Sequence, residues 1–460
     1  MRPSCHSPCT ILFRSVQPVS AARIELSRLV CLLFLAAPNL VLAAEPRPDA
    51  PATAPSILDW PQFLGPRGDG HADPRCEIPL KWNTRTNILW RTPIPGRGWS
   101  SPTVSGQSIW LTTAVDANQS LQLVKLDRQT GRMVWSREII RTDTPGKIHP
   151  KNTHATPTPI IDGDTLYLHF GTHGTARVST DGEVNWKTQL PYYHHHGPAA
   201  SPVLSNDLLI VNCDGFTRPF YDRLRRPGVT KPQFIVALDR KTGQPRWRQE
   251  RPRGRHSYAT PLLLEGTGPQ RAQVICPGGD RVTAYEPQSG RPLWWVTYTG
   301  YSVVPRPVAG PPDSGLVYVC TGYDNPRLLA IRTSGTGDVT RTHVAWQLAR
   351  AVPLNPSPLL VDDSLFLVND SGICSCLEAR TGELRWKRRL GGHFSASPLF
   401  VNDHILATNE VGTTHVLVPG KSYRRLALNR IPGRTLATPA VSGNRLLVRT
   451  DRELVCIGRQ

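Results

Sequence analysis

The chain has 460 residues with 39% hydrophobic content, enough to bury a large core, and 54 Lys and Arg against 35 Asp and Glu give a net charge of +19. Forty-four prolines, 37 glycines and only two methionines, without long helical apolar periodicity, exclude an α-rich core and point to an all-β chain with many turns. The basic surplus favours anionic partners, but no nucleic-acid-binding module interleaves the arginines, so nucleic acid is not expected among them.

Residues 1–44 read as a signal peptide. Arg14, Arg23 and Arg28 precede the apolar run LVCLLFLAAPNLVLAA, which ends in small residues suited to cleavage near Ala43 or Ala44. Pro38 and Asn39 break the run, so no transmembrane span is expected once it is removed; a retained N-terminal anchor is the alternative. The expected product is exported, periplasmic or extracellular, with a Pro/Ala-rich linker at 45–59 and one domain at 60–460. It keeps seven cysteines and a net charge of +16. Odd, scattered cysteines without a CxxC fit buried small hydrophobes better than a zinc site or a disulfide framework.

From residue 85 onward the chain repeats. KLDRQTGRMVW (125–135), ALDRKTGQPRW (237–247), AYEPQSGRPLW (284–294) and CLEARTGELRW (376–386) align without gaps. Between these lie Ser-Pro or Thr-Pro elements, each followed by an apolar strand, with prolines placed at 102, 157, 202, 261, 305, 358, 398 and 439. Eight copies predict eight blades. In each, Pro opens an innermost strand, a short turn reverses it, a third strand enters the Asp-x-x-Thr-Gly turn, and Trp closes the fourth. The last unit supplies three strands and stops, while NILWRTPIP near residue 90 stands as far before the first Ser-Pro as Trp346 does before Pro358. The prediction is an eight-bladed β-propeller of four-stranded antiparallel blades, the last blade closed by an N-terminal strand.

The Asp-x-x-Thr-Gly-x-x-x-Trp element resembles the tryptophan-docking motif of PQQ-like (pyrrolo-quinoline quinone) repeat propellers, the quinoprotein alcohol dehydrogenase-like and BamB-like proteins. DWPQFLGPRGDG (59–70) with IPGRGWSSPTV also looks like secreted bacterial members of that group. The resemblance implies two functions: a non-catalytic scaffold binding a protein partner, or a PQQ- or metal-dependent oxidoreductase using calcium. The dehydrogenases carry a vicinal Cys-Cys pair over the quinone. Here the nearest approach is Cys374-Ser375-Cys376, whose side chains share one strand face where bridging is strained. No cofactor is therefore expected, with PQQ and calcium the alternative.

The connectors before each inner strand should gather at one mouth of the channel, placing there Arg97, Trp99, His154, His196, His256, Arg306, His393 and Arg434, with His173 from a neighbouring loop. The long loop 216–232 and the connector 247–256 add Arg218, Arg225, Arg226 and Arg253 beside LPYYHHHGPAASP (190–202). These thirteen residues are the candidate ligand-binding set, suited to a protein or an anionic polysaccharide, on a monomer. For a metal, His154, His196 and His256 are the candidates, since no more than two of three consecutive histidines can face one ion. Asp127 and Asp239 read as turn-capping residues rather than acids in catalysis.

Overall fold

The computed structural model describes residues 56–192, 194, 196–214, 233–251, 255–266 and 271–459. Its strands form eight antiparallel sheets in the order predicted. Blade 1, for example, contains Thr103–Ser105, Ser108–Val115, Ser120–Asp127 and Met133–Arg141. Ile88–Pro93 pairs antiparallel with Glu453–Ile457 and supplies the outer strand of blade 8. The ring is thus closed by joining the two ends of the propeller. No helix among the described residues is long and apolar enough to cross a membrane.

The middle strands, such as Thr165–His169, are buried at every position rather than at alternate ones, because a neighbouring blade covers each face. Accordingly each apolar cluster spans a seam. Trp110 and Leu123 of blade 1 pack with Leu166 and Val178 of blade 2, and the largest cluster joins blades 7, 8 and 1 to the segment around Trp60 and Trp82.

The recurring turn locks those seams. Asp239 Oδ1 accepts the Thr242 N–H at 2.9 Å, and the Gly243 N–H reaches Asp239 O at 2.8 Å. Gly243 has φ +72°, and Trp186 of the preceding blade lies so close that a methyl group there would sit 2.6 Å from the indole. The indole N–H donates to Arg240 O at 3.1 Å. The same docking joins Trp90 to Gly131, Trp247 to Gly290 and Trp346 to Gly382. The hydrogen bonds from Thr130 and Thr242 hold Asp127 and Asp239 below their usual carboxylate range, as turn-capping predicts. Blade 5 lacks the turn. Trp294 of blade 4, which would dock on it, is instead fully buried and donates to Gln273 Oε1 of its own blade at 2.8 Å, and Gly337–Asp338 joins blade 4 as a fifth, parallel strand.

A belt of hydroxyls rings the inner strands, and it corrects the register at two blades. Ser101 N donates to Thr158 Oγ1, Thr158 N to Ser201 Oγ, and Ser201 N to Thr260 Oγ1. Arg306 N donates to Ser357 Oγ, Ser357 N to Ser397 Oγ, and Ser397 N to Thr438 Oγ1. All six bonds measure 2.9–3.0 Å. Blades 2 and 5 are therefore opened by Pro159 and Pro307, two residues later than the sequence placed them, because both stretches carry a second proline and only the second follows the belt residue. Arg306 takes the belt position that Ser or Thr holds elsewhere.

The stretch DWPQFLGPRGDG crosses the channel beneath this belt. Trp60 exchanges backbone hydrogen bonds with Val104 of blade 1, Pro61 O accepts from Ile161 of blade 2, and Gly70 O accepts from Phe400 of blade 7. Midway, Arg306 of blade 5 donates to Gly68 O at 2.5 Å and Phe63 O at 3.4 Å. Gly68 has φ +66°, and a Cβ there would meet the Arg306 guanidinium at 1.9 Å. The segment plugs the channel from the side opposite the connectors.

Candidate functional site

Above the plug, the channel opens into a cavity of about 640 Å³. Its floor carries the belt hydroxyls and Phe63, and its flanks carry Trp99, Tyr258, Tyr301 and Tyr323. The six belt hydroxyls that accept a backbone N–H keep their own protons to offer a ligand.

The charged groups around the mouth are largely spent on one another. Glu410 accepts from Lys151 and from Ser395 Oγ, both at 2.7 Å, and these bonds hold its carboxyl below the usual range despite partial burial. Asp324 pairs with Arg255. Asp370 accepts from the Leu354 N–H at 2.7 Å, and from the Asn355 N–H and side-chain amide; burial nevertheless pushes its carboxyl up. Arg251 and Asp214 form a buried pair at 3.2 Å. Burial pushes Asp214 up to about 7 while the guanidinium pulls it back.

The candidate residues divide accordingly. Trp99 and His196 line the cavity. Arg97, His393 and Arg434 are exposed around it, with the Arg434 guanidinium 5.9 Å from the Trp99 ring centre. Arg306 corrects the expectation of a ligand-binding arginine: it is 3% exposed, faces the plug, and also donates to Pro261 O at 3.2 Å. Burial lowers its pKa to about 10, which still leaves it cationic at neutral pH. Arg218, Arg225, Arg226 and Arg253 lie outside the described residues.

The histidines fall into two groups rather than the one expected from His154, His196 and His256. His154, His173 and His194 bring one ligand atom each within 4.8 Å of one another. His196 instead stacks edge-on between His149 and His256, at 5.4 and 5.3 Å between ring centres, and His256 lies 4.5 Å from Tyr301. The connector is not extended here. It turns at His196 and Gly197, whose φ is +91°, so His194 and His196 part company.

Sequence reasoning missed the segment 143–153, which straps the rim from blade 3 to blade 7. Asn152 Nδ2 donates to His196 O at 2.8 Å, while Lys151 reaches Glu410. His149, Lys151 and Asn152 all line the cavity. Its only sequence signal was length, a connector long for this repeat.

Fold and site together define an eight-bladed propeller of PQQ-like repeats, plugged below and open at the connector end. The chain belongs to the family whose model is described as outer membrane protein assembly factor BamB, matched over residues 81–215, 231–351 and 338–417. BamB from Moraxella catarrhalis superposes with a TM-score of 0.54 at 16% identity, over 81% of this chain and 97% of that one. The quinohemoprotein alcohol dehydrogenase ADHIIG from Pseudomonas putida HK5 gives 0.57 at 10% identity, over 87% and 80%. A europium-containing methanol dehydrogenase gives 0.50 at 10%, over 85% and 89%. At these identities the likeness is one of fold. No curated protein matches the chain.

Among the described residues, most groups that could hold a quinone with calcium are already committed. A polycarboxylate quinone needs open cations; Arg251, Arg255 and Arg306 are committed to Asp214, Asp324 and the plug, which leaves the exposed Arg97 and Arg434 at the rim. Calcium needs several open carboxylate oxygens; both oxygens of Asp370 accept from Leu354 and Asn355, while Asp214 keeps only Oδ1 unpartnered beside Arg251. Cys374 and Cys376 are buried thiols packed in the seam between blades 6 and 7.

Proposed function

We propose that this is an exported, monomeric, non-catalytic scaffold propeller that holds a segment of a partner protein in the channel-mouth cavity. The observation carrying the reading is the cavity's makeup: aromatic flanks over a floor of hydroxyl donors, with Glu410 and Asp324 already paired to Lys151 and Arg255. Aromatic side chains anchor protein interfaces, and hydroxyl protons suit peptide carbonyls. The family's description as an outer membrane protein assembly factor supports a protein partner, and the N-terminal apolar segment supports export. The anionic-polysaccharide reading rests on Arg218, Arg225, Arg226 and Arg253.

The test is fluorescence anisotropy with labelled extended peptides taken from outer-membrane β-strands. Binding should saturate and weaken about tenfold in Tyr258→Ala and in Tyr301→Ala, the loss of one anchor of roughly 1.4 kcal/mol. Peptide binding unaffected by either change overturns the reading. Retention on an acidic polysaccharide column that disappears on deleting 216–232 would replace it with the glycan. Dye reduction after adding quinone and calcium would replace it with the oxidoreductase.

A further inference from the structure

We propose that His154, His173 and His194 bind one divalent transition-metal ion of the zinc class. They come from three separate pieces of chain: the end of the rim strap, the short turn Gly171–His173, and the connector into blade 3. Nothing in the repeat requires imidazole at any of these places.

Second partners of the rings fit ligation. His173 uses Nε2 on Pro145 O at 3.1 Å, which fixes its proton there and leaves the Nδ1 lone pair bare. His154 is 1% exposed, is supported by the backbone of Gly146, and has no hydrogen-bond partner for Nδ1. An imidazole that donates one N–H to a backbone carbonyl and offers the other nitrogen is the arrangement protein zinc ligands adopt. A buried nitrogen left without a partner carries a cost that a cation would remove.

His194 completes the set through Nε2. Its Nδ1 accepts the Thr172 N–H at 3.2 Å, so ligation through Nε2 moves the ring proton to Nδ1 and requires the ring to turn away from that N–H. Three neutral imidazoles leave one tetrahedral position for water or an anion, and nitrogen ligands select zinc-like ions over calcium or magnesium. The strap bears both the supporting carbonyls and the cavity-lining His149, Lys151 and Asn152. An ion here pins one wall of the ligand cavity.

The experiment uses tag-free protein stripped with a chelator and titrated with zinc in a calorimeter and with cobalt by visible absorption. One equivalent of zinc should bind, cobalt should give the intense bands of a four-coordinate site, and zinc should raise the melting temperature. Affinity should fall about a hundredfold in His173→Ala and His154→Gln, the upper end of what lost metal-site contacts cost, and persist in His196→Ala. The proposal is overturned by a weak six-coordinate cobalt spectrum in the unmodified protein, which needs no variant to fold, or by equal zinc affinity in the His154→Gln/His173→Ala double variant. Loss of binding in His196→Ala alone would move the site to the His149–His196–His256 row and overturn it as well.

Discussion

Gly243→Ala tests the idea that the blade seams depend on an indole resting on bare backbone. Two costs add. An L-residue at φ +72° gives up about 1 kcal/mol. The new methyl lies 2.6 Å from the Trp186 ring and 2.8 Å from Thr188 Oγ1, so the indole must back out. Overpacking of this kind costs about 1–3 kcal/mol, and the Trp186 to Arg240 hydrogen bond is worth about 1 more. The total is about 3–5 kcal/mol. Gly106→Ala is the control, because Gly106 has φ +54° with nothing within 4 Å of a Cβ, so only the conformational cost of about 1 kcal/mol applies. Urea unfolding followed by tryptophan fluorescence reads both as midpoint shifts at constant slope. If Gly243→Ala loses no more than Gly106→Ala, the indole is not packed against that turn and the seam argument fails.

Acid should weaken the fold through His169, whose ring is 2% exposed and satisfied by Thr175 Oγ1 at 2.8 Å and Tyr192 OH at 2.9 Å. Burial takes its pKa from 6.5 to about 3, so the unfolded chain binds the proton first. Its contribution is complete above pH 6.5 and is lost as pH falls toward 3. His169→Gln should flatten the slope of stability against pH in that window, as read from urea midpoints. Arg306→Ala should cost about 3 kcal/mol by stranding the carbonyls of Gly68 and Phe63, and should make the segment around Gly68 newly cleavable in limited proteolysis. By contrast, Lys151→Met should change stability by no more than about 1 kcal/mol, since the Lys151 side chain in its pair with Glu410 is 44% exposed, and any effect should shrink in salt.

The blades were legible because their physics is local. Gly243, Trp186 and Asp239 each answer a need set within one turn and its neighbour, so the pattern survives repetition. The register of Thr-Pro-Thr-Pro and Val-Pro-Arg-Pro was not, since choosing between two prolines depends on a hydroxyl contact from the next blade. The plug escaped notice for a related reason: 57–72 has no periodicity, and its partners lie on strands from both ends of the chain. Arg306 looked like a mouth arginine because sequence gives the height of a residue in the channel but not whether its side chain turns up or down. His194 and His196 went to different neighbours through a single turn at Gly197. The composition of the cavity wall could not be read at all until the strap from 143 to 153 was placed.

Closure by Ile88–Pro93 against Glu453–Ile457, with the plug already threaded across the ring, sets an order of events. The plug and the closing strand leave the ribosome before every blade they touch; the plug meets blades 1 and 2 early, but Arg306 and Phe400 come late, and the closing strand has no partner until the last strand has been made. While they wait, blades 7, 8 and 1 lack their shared apolar cluster, and the inner edges of those blades stand open. The molecule therefore keeps an unpaired strand and an open edge as long as only its first few blades exist. It becomes a closed body in one late step, when the oldest and the youngest parts of the chain meet.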